Sequence, residues 1–595
     1  MNSQYLPIVF ALVSTAAFGS TATNGPNGID SLGIEYMGSP LDGTGIPIGQ
    51  GEFDRSAKFG YDTIDEFVAS NTIPTGVYRG LEPGMDAMDS AVFGRDHTTE
   101  VAGVMIANDS YNPDFIGVAP NAELHSLAIP DILDDVSVAL SLNRLATLFV
   151  NVATINLSFN PPLGPLEMPN GHAHMTAFVD WSARQHDVLY VVSWGNDDSF
   201  PLRKLADNYN GITVASSEKV DGVYTKWWTG NADLTGDATG SRTSVDILAP
   251  GDEIEVLSLN DTEVDDGEGS SLAAPHVTGA TALLHQYAKA RVDPGTDPRW
   301  GVNSRRHETV KAVMMNSADK LDRVHGSTRT ILRDEFENDW RQSPAFINSD
   351  IPLDEKIGAG HLNVRRAVRQ ISSGEYDPGM VPSIGWDYQG VGATQEYVFE
   401  SEIGGGYIAA TLTWDRRVQK TSGGNYMEGD QFTMQALEDQ MNNLDLYLMP
   451  AASSNFMEAI AVSNSMVQNV EHIFFNIQAP GEYKLVVHNN VIGGIGDNQT
   501  YALAWWFGNP FARGDYNGNG SVGPEDYDLW RSNFGSTSNL AADGNGNDVI
   551  DAADYVVWRD NLGAGAGSGL TAVPEPSVLA FVMFAMVIAA QRQWR

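Results

Sequence analysis

The chain has no cysteine. That absence excludes disulfide bonds, thiol catalysis and thiolate zinc sites, so an exported form would depend on packing or bound metal for its stability. Basic residues are also scarce, since 35 lysines and arginines face 76 aspartates and glutamates and the net charge is -41. A surface this acidic repels nucleic acid and anionic lipid, so neither is expected as a partner. Calcium is the natural cation for a chain so rich in aspartate.

Long apolar runs are found at the two ends of the chain. Tyr5 to Gly19 is apolar and is followed by the small residues Ser-Thr-Ala. This order is typical of a secretory signal peptide with a nearby cleavage site, which we place at residues 1–22. We therefore expect the chain to be exported.

The second apolar run, Val578 to Ala590, follows Val-Pro-Glu-Pro and precedes Arg592 and Arg595. A helix of this length spans about 20 Å of the roughly 30 Å of bilayer hydrocarbon, so this C-terminal hydrophobic helix is a marginal anchor, with a short core helix as the alternative. The segment resembles a PEP-CTERM sorting tail. That resemblance implies transient membrane retention, processing by an exosortase, and a destination in the bacterial envelope or outside the cell.

The composition divides the chain, whose 595 residues exceed what one hydrophobic core usually supports. Residues 31–372 alternate short apolar strand-like runs with helix-like segments, which predicts an α/β unit with a parallel sheet and helices on both faces. Residues 380–508 carry β-type runs with aromatics and turn residues, which predicts a β-sandwich. Residues 513–563 contain an internal repeat, and residues 564–595 are a Gly/Ala-rich linker and the tail.

A serine lies where small residues precede a helix, in Gly269-Ser-Ser-Leu-Ala-Ala-Pro-His-Val. At a helix N-terminus the hydroxyl of Ser271 would be exposed and the helix dipole would favour developing negative charge. From the residues alone, a buried helix start with small packing residues is the alternative. The segment resembles the nucleophile motif Gly-Thr-Ser-Met-Ala-Ala-Pro-His-Val of the subtilisin-like serine peptidases. That resemblance implies a subtilisin-like fold with Ser271 as nucleophile.

A histidine precedes this serine in Asp96-His-Thr-Thr-Glu-Val-Ala-Gly. The segment resembles the His-Gly-Thr-His-Val-Ala-Gly helix start of the same family, which implies that His97 is the general base. Thr98 replaces a glycine of that motif and Glu100 replaces a second histidine, so we expect the local loop to differ. Activity should then fall as the pH drops through about 6.5, where a free histidine protonates.

An asparagine ends the run Val191-Val-Ser-Trp-Gly-Asn196. A Gly-Asn pair by itself predicts only a turn. The run resembles the Ala-Ala-Gly-Asn turn that follows a buried strand in the subtilisin-like peptidases. The resemblance implies that the side-chain amide of Asn196 stabilises the tetrahedral oxyanion.

The acid of the triad comes first in the family's chain order, before the histidine and the serine. Direct alignment of the run from Thr44 to Asp54 places Glu52 where the family has an aspartate. Glutamate can fill this role, because the acid orients the imidazole and stabilises imidazolium without taking a proton. Asp54 is the alternative if the strand end is displaced, which Pro47 would permit by making the strand irregular. A site without an acid is the third reading.

The run Ile155-Asn-Leu-Ser-Phe-Asn resembles the family strand whose backbone pairs with substrate. That resemblance implies that Ser158, Phe159 and Asn160 line the specificity side. The likeness extends over nearly all of residues 40–370 and implies an endopeptidase that hydrolyses proteins through an acyl-enzyme. A catalytically weak protease-fold surface protein, binding through its C-terminal regions, is the alternative.

Two β-type runs, Leu444-Asp-Leu-Tyr-Leu and Pro480-Gly-Glu-Tyr-Lys-Leu-Val-Val, resemble a bacterial pre-peptidase C-terminal domain. The resemblance implies a role in accessory binding or processing. A plain spacer is the alternative.

The repeat in residues 513–563 spaces oxygen donors as calcium loops do, at positions one, three, five and twelve, with a glycine at six in the first loop. Asp548 replaces that glycine in the second loop. A polar turn without metal is the alternative. The predicted calcium ligands are Asp515, Asn517, Asn519, Ser521 and Asp526 in the first loop and Asp543, Asn545, Asn547, Asp551 and Asp554 in the second.

Each loop is followed by an Asp-Tyr-x-x-Trp-Arg-x-Asn segment. With aspartate at position twelve, the two loops and these segments resemble dockerin type I repeats more than EF-hands. A dockerin implies a cohesin-like partner. The aromatic residues Tyr527, Trp530, Tyr555 and Trp558 are available either for that partner or for the module's own core.

Overall fold

The structure is a computed structural model that gives the chain's secondary structure over most of its length. It describes residues 23–24, 28–36, 39–53, 78–80, 96–107, 116–129, 133–148, 152–163, 170–196, 203–220, 223–226, 242–257, 264–293, 295, 299–320, 340–401, 406–433, 443–490, 499–508, 514, 516, 522–536, 542, 544 and 549–563. The predicted signal peptide, Asp54 and the predicted linker and tail at 564–595 lie outside these ranges. No helix within the ranges is both long and apolar enough to cross a bilayer.

The helices are α1 (Asp96–Ile106), α2 (Asp135–Leu148), α3 (His174–His186), α4 (Ser270–Val292), α5 (His307–Ser317), α6 (Pro344–Ile347), α7 (Val364–Ile371), α8 (Pro524–Asn533) and α9 (Ala552–Asp560). The strands up to residue 300 are β1 (Glu35–Tyr36), β2 (Ser39–Pro40), β3 (Pro47–Glu52), β4 (Tyr78–Gly80), β5 (Glu123–Ala128), β6 (Thr154–Leu157), β7 (Leu189–Ser193), β8 (Ile212–Val220), β9 (Val223–Lys226), β10 (Ile247–Pro250), β11 (Ile254–Leu257) and β12 (Val264–Gly267). The later strands are β13 (Gly379–Met380), β14 (Ile384–Gly390), β15 (Thr394–Ser401), β16 (Gly406–Trp414), β17 (Gln419–Lys420), β18 (Phe432–Thr433), β19 (Leu444–Pro450), β20 (Ala461–Ser463), β21 (Val470–Ile477), β22 (Gly481–Asn489) and β23 (Thr500–Phe507).

The first part of the chain forms an eight-stranded sheet in the order β10-β8-β7-β6-β3-β5-β4, with β9 added antiparallel to β8. The neighbours along the main path are parallel. Successive residues of a strand face opposite sides, so Val191 joins the apolar core on one face while Tyr190 and Val192 join the core on the other. Helices α1 and α4 cover the first face and α2 and α3 the second, which confirms the predicted parallel α/β unit.

Strand β3 positions the candidate acid. It pairs along its whole length with β5, from Pro47 opposite Glu123 to Glu52 opposite Ala128, and its middle pairs with β6. The expectation that Pro47 makes this strand irregular is wrong. Pro47 is the first residue of the strand, where a proline is tolerated, and its carbonyl accepts a hydrogen bond of 3.0 Å from the backbone N–H of Ala153.

The region after residue 378 forms two further sheets that share an apolar core. One sheet has the order β13-β15-β22-β19-β20, and the other has the antiparallel order β14-β23-β16-β21. The other face of the four-stranded sheet lies against α5, since Trp386, Ala502 and Ala504 belong to the same core as Val310 and Val313. The predicted units 31–372 and 380–508 therefore share a continuous apolar core.

A hairpin from the second region also reaches α3. Tyr426 and Phe432 stack with an interplanar angle of 9° at 5.8 Å, and both rings contact Phe178. The chain after β16 thus packs against the second face of the α/β unit, in addition to the contact of the four-stranded sheet with α5.

The two C-terminal helices α8 and α9 contact each other through equivalent residues. Trp530 Nε1 donates to the carbonyl of Asp551 at 2.7 Å, and Trp558 Nε1 donates to the carbonyl of Gly523 at the same distance. Tyr527 lies 5.1 Å from Trp558 and 6.0 Å from Tyr555, ring centre to ring centre. These aromatic side chains are packed on one another.

Candidate active site

Glu52 and His97 face each other across the junction of β3 and α1. Glu52 ends β3 and is completely buried, whereas the His97 side chain in the first turn of α1 is 35% exposed. Glu52 Oε2 lies 3.8 Å from His97 Nδ1, which is within ion-pair reach and longer than a hydrogen bond. Burial lowers the pKa of His97 below its ordinary value of 6.5. The imidazole is thus held neutral with Nδ1 toward the carboxylate.

Gln50 lies two residues before Glu52 and so points to the same face of the sheet. Its Nε2 donates to the carbonyl of Thr98 in α1 at 2.9 Å, and its Oε1 accepts from Ser126 Oγ at 3.0 Å. Gln50, Thr98 and Ser126 are all buried. The strand that carries Glu52 is therefore tied to the helix turn that carries His97.

Ser271 is the second residue of α4, which begins after Gly269. Gly269 has φ = 124°, and a Cβ at this position would lie 2.4 Å from Asn196 Nδ2. Only glycine fits both the left-handed backbone and the close approach of the amide. The helix start and the Asn196 side chain are thus in contact.

The backbone carbonyl of Ser271 has an unusual hydrogen-bond donor. In a regular helix this carbonyl would accept from residue 275, but Pro275 has no N–H. Ser158 Oγ supplies the missing donor at 2.7 Å, and Asn156 Nδ2 in turn donates to Ser158 Oγ at 2.9 Å. Thr278 Oγ1, two turns along α4 from Ser271, donates to Asn156 Oδ1 at 3.0 Å. The end of β6 is therefore linked to the helix turn that carries Ser271.

Asn196 is oriented by the residue before Ser271. The backbone N–H and the hydroxyl of Ser270 both donate to Asn196 Oδ1 at 2.8 Å. The N–H of Gly195 donates to Ser270 Oγ at 2.9 Å. Oδ1 accepts these bonds, so the other end of the amide is turned toward Gly269. That end is Nδ2, which is a hydrogen-bond donor.

The predicted specificity residues are mostly engaged through their side chains. Ser158 and Phe159 are buried, and Asn160 uses its amide to bind the carbonyl of Ser193 and the N–H of Leu205, both at 2.9 Å. This segment would therefore contact a peptide through its backbone. The exposed ring of Phe53 lies 5.9 Å from Phe159 and 6.4 Å from His97, between the candidate base and this segment.

Contacts thus connect Glu52 with His97, and Asn196 with the helix start that carries Ser271, and both pairs lie at carboxyl ends of parallel strands. Asp54 lies outside the described residues. Sequence reasoning missed Gln50, Ser270 and Phe53. A signal existed for Gln50, which is a polar residue at a core-facing position of a strand. Ser270 and Phe53 stand beside Ser271 and Glu52 in the sequence, but the motifs assign no role to either residue.

The predicted calcium loops are described at three of their ten ligands, Asp526, Asp551 and Asp554. Asp526 accepts from the N–H groups of Tyr516 and Gly523, each at 2.7 Å. Asp554 accepts in the same way from Gly544 at 2.8 Å and Asp551 at 2.7 Å. These buried carboxylates close each loop onto the start of the following helix.

The other predicted ligands, Asp515, Asn517, Asn519, Ser521, Asp543, Asn545 and Asn547, lie outside the described residues.

Comparison with known proteins shows what the α/β region is similar to. Residues 76–335 match the Subtilase family. The chain is 27% identical over 231 residues to an alkaline protease of Alkalihalobacillus alcalophilus, covering 38% of this chain and 52% of that protein. It is 27% identical to Subtilisin Savinase of Lederbergia lenta, covering 38% of this chain and 73% of that protein. It is also 27% identical to the major intracellular serine protease of Bacillus subtilis (strain 168), covering 32% and 55%.

The chain thus spans about half the length of the first of these relatives. Among solved structures, it is similar to a psychrophilic protease, S41, with 20% identity and a TM-score of 0.36, covering 54% of this chain and 92% of that one. It is similar to the patellamide maturation protease PatA with 18% identity and a TM-score of 0.37, covering 56% and 98%. The family match and the relatives support a subtilisin-like serine peptidase region in this chain.

Proposed function

We propose that the chain is a serine endopeptidase that hydrolyses protein substrates through an acyl-enzyme. The observation that carries the proposal is the pairing of His97 with a completely buried carboxylate, Glu52, on the side of Nδ1. This arrangement leaves Nε2 as the nitrogen that exchanges a proton with a nucleophile. The match of residues 76–335 to the Subtilase family supports the same reading.

In this proposal each residue has one role. Ser271 Oγ attacks the scissile carbonyl carbon and gives its proton to His97, which passes it to the leaving amine as the C–N bond breaks. Asn196 donates to the oxyanion of the tetrahedral intermediate. Water then adds to the acyl-enzyme with His97 again as base, and Ser271 is released with its proton.

Glu52 takes the place of the family's aspartate. Its buried carboxylate orients His97 and stabilises the imidazolium formed during each proton transfer. A bound peptide would form backbone hydrogen bonds with the segment Ser158, Phe159 and Asn160.

A fluorophosphonate probe tests this function, because it reacts with an activated serine hydroxyl. The folded chain should be labelled once, Ser271→Ala should not be labelled, and Ser372→Ala should be labelled like the wild type. Ser372 is a partly exposed serine outside the candidate site, and its hydroxyl donates to the carbonyl of Arg369 at 2.7 Å. Equal labelling of the Ser271→Ala chain, or none of the wild type, would show that the proposal is wrong. The latter result would support the binding-protein alternative, which the family match does not favour.

We extend the proposal to the regions outside the peptidase. The acidic repeat would bind calcium and a cohesin-like partner, and the N-terminal apolar segment and PEP-CTERM-like tail would direct export and exosortase processing to the envelope or the medium. The sequence motifs support these roles. Fractionation of a bacterium that expresses the tagged chain, with and without residues 573–595, tests the address: loss of envelope retention is expected only in the truncated chain.

A further inference from the structure

A second cluster of chemically active side chains lies where the four-stranded sheet meets the α/β unit. Asp187 follows α3 in a left-handed conformation with φ = 56°. His307 and Glu308 open α5, and Asp415 follows β16. Three separate elements thus converge on one imidazole ring.

The atoms of the cluster are spaced like ligands around one ion. His307 Nδ1 lies 2.9 Å from Asp187 Oδ1 and 3.2 Å from Glu308 Oε2. Ligand atoms from these three residues all lie within 4.8 Å of one another. Neighbouring ligands about 2.1 Å from a metal are about 3 Å apart in an octahedron and slightly more in a tetrahedron. The observed separations fall in that range.

The cluster holds a buried carboxylate oxygen that is suited to coordinate a cation. Glu308 is 5% exposed, and its Oε2 accepts no hydrogen bond from the described residues. Its other oxygen, Oε1, accepts from the hydroxyl of Tyr388 at 3.3 Å. A buried carboxylate oxygen without a donor is costly, and coordination of a cation removes that cost.

The surroundings hold each ligand in place. His307 Nε2 lies 3.0 Å from Asp415 Oδ1, so donation to Asp415 leaves the Nδ1 lone pair directed at Asp187 and Glu308. Arg306 Nη1 donates to Asp187 Oδ2 at 2.9 Å and the backbone N–H of His307 donates to Oδ1 at 3.1 Å, which fixes the carboxylate and leaves the second lone pair of Oδ1 for coordination. Carboxylates that accept from the far nitrogen of a metal-binding histidine commonly fix its tautomer in this way.

The charges also match a divalent ion. With a neutral His307, the carboxylates of Asp187, Glu308 and Asp415 and the guanidinium of Arg306, which pairs with Asp187, together leave two negative charges, and one dication balances them. We infer that Asp187, His307 and Glu308 bind a divalent transition-metal ion such as Zn²⁺ or Mn²⁺, with Asp415 orienting the imidazole. The mixed nitrogen and oxygen donors favour such an ion over calcium, which prefers oxygen alone.

The site would be separate in chemistry from the predicted calcium loops, whose donors are all oxygens. It would also be independent of peptidase activity, since it shares no residue with the candidate triad. The bound ion would stabilise the fold, because it would join the end of α3 to the start of α5 next to the four-stranded sheet. Part of the cluster is accessible, as the Asp187 side chain is 32% exposed.

The experiment titrates the full chain, stripped with a chelator, in excess Ca²⁺ so that oxygen-only sites are filled. Co²⁺ is added first, because binding to an imidazole nitrogen shifts and intensifies its visible d–d absorption relative to the aqueous ion. We expect one equivalent of Co²⁺ to produce this absorption and one equivalent of Zn²⁺ to abolish it. A spectrum identical to that of aqueous Co²⁺, together with no Zn²⁺ binding by calorimetry, would overturn the inference.

Variants locate the ion. Glu308→Gln and His307→Gln should each abolish the stoichiometric Co²⁺ signal, and Asp415→Asn should weaken Zn²⁺ binding by about 10- to 100-fold. Glu396→Gln, which alters a carboxylate paired with Lys484, should bind like the wild type. Asp187→Asn keeps the test decisive if the buried variants do not fold, because Asp187 lies at the rim. An unchanged signal in folded Asp187→Asn would contradict the site.

Discussion

At the scale of single residues, the candidate site depends on side chains other than the predicted catalytic ones. Gln50 is completely buried and binds Thr98 and Ser126 at once. Its removal should let α1 shift relative to β3, so that Glu52 orients His97 less well. A misplacement of about 1 Å can cost about 100-fold in rate.

We therefore expect Gln50→Met to lower kcat by about 10- to 100-fold with little change in KM. The acid limb of the pH profile should move to lower pH, because a more distant Glu52 supports the protonated imidazole less. Gln370→Met is the matched control, since Gln370 is also completely buried and donates to two backbone carbonyls, of Gly385 and Trp505. An equal loss in both variants, with no movement of the pH profile, would show that Gln50 matters only for stability.

The pH dependence of the wild-type chain follows from the burial of His97. Burial lowers the pKa of His97 below 6.5, and the base must be neutral to act. Activity should thus persist as the pH falls through 6.5 and be lost only below it, which corrects the expectation from a free histidine. The measurement is kcat/KM against pH on a peptide substrate without ionisable groups. A midpoint above 6.5 would contradict the burial argument.

At the scale of helices and strands, much of the fold could be predicted because the patterns are local. The alternation of apolar strands and helices predicted the parallel sheet, and small residues around Ser271 predicted the start of α4. The Pro47 prediction failed because the position of a proline within a strand depends on where the ladder begins. The cluster around His307 could not be predicted, because the fold brings Asp187 and Asp415 to it from distant parts of the chain.

The contact between β6 and α4 gives a test at this scale. Ser158→Ala should leave the Ser271 carbonyl without a donor, because Pro275 cannot supply one. We expect a loss of about 1–3 kcal/mol in the free energy of unfolding, measured by urea denaturation, together with slower reaction of Ser271 with a fluorophosphonate.

Ser141→Ala is the control for this variant. Ser141 is also buried, but its hydroxyl donates at 2.9 Å to the carbonyl of Ser137, which lies within α2 and has a helical N–H partner available. Its removal should leave no carbonyl unpaired. If both variants lose the same stability and react at the same rate, the proposed link through Ser158 is wrong.

At the scale of the whole molecule, the two C-terminal sheets are part of the structural support of the α/β unit. Trp386 is completely buried and belongs to the core that contains Val310 and Val313 of α5. Its Nε1 also donates to the carbonyl of Ile371 at 2.9 Å, at the end of α7. A sheet attached in this way should unfold together with the helices beneath it.

We therefore expect Trp386→Ala to destabilise the α/β unit and the sheets together, by about 3–5 kcal/mol. Calorimetry should show one transition for both regions at a lower temperature, and fluorophosphonate labelling after heating should be lost at that same temperature. Met457→Ala should change neither measurement, because Met457 is 89% exposed. Two separate transitions, with labelling retained above the first, would mean that the sheets unfold alone and the continuous core does not couple them to Ser271.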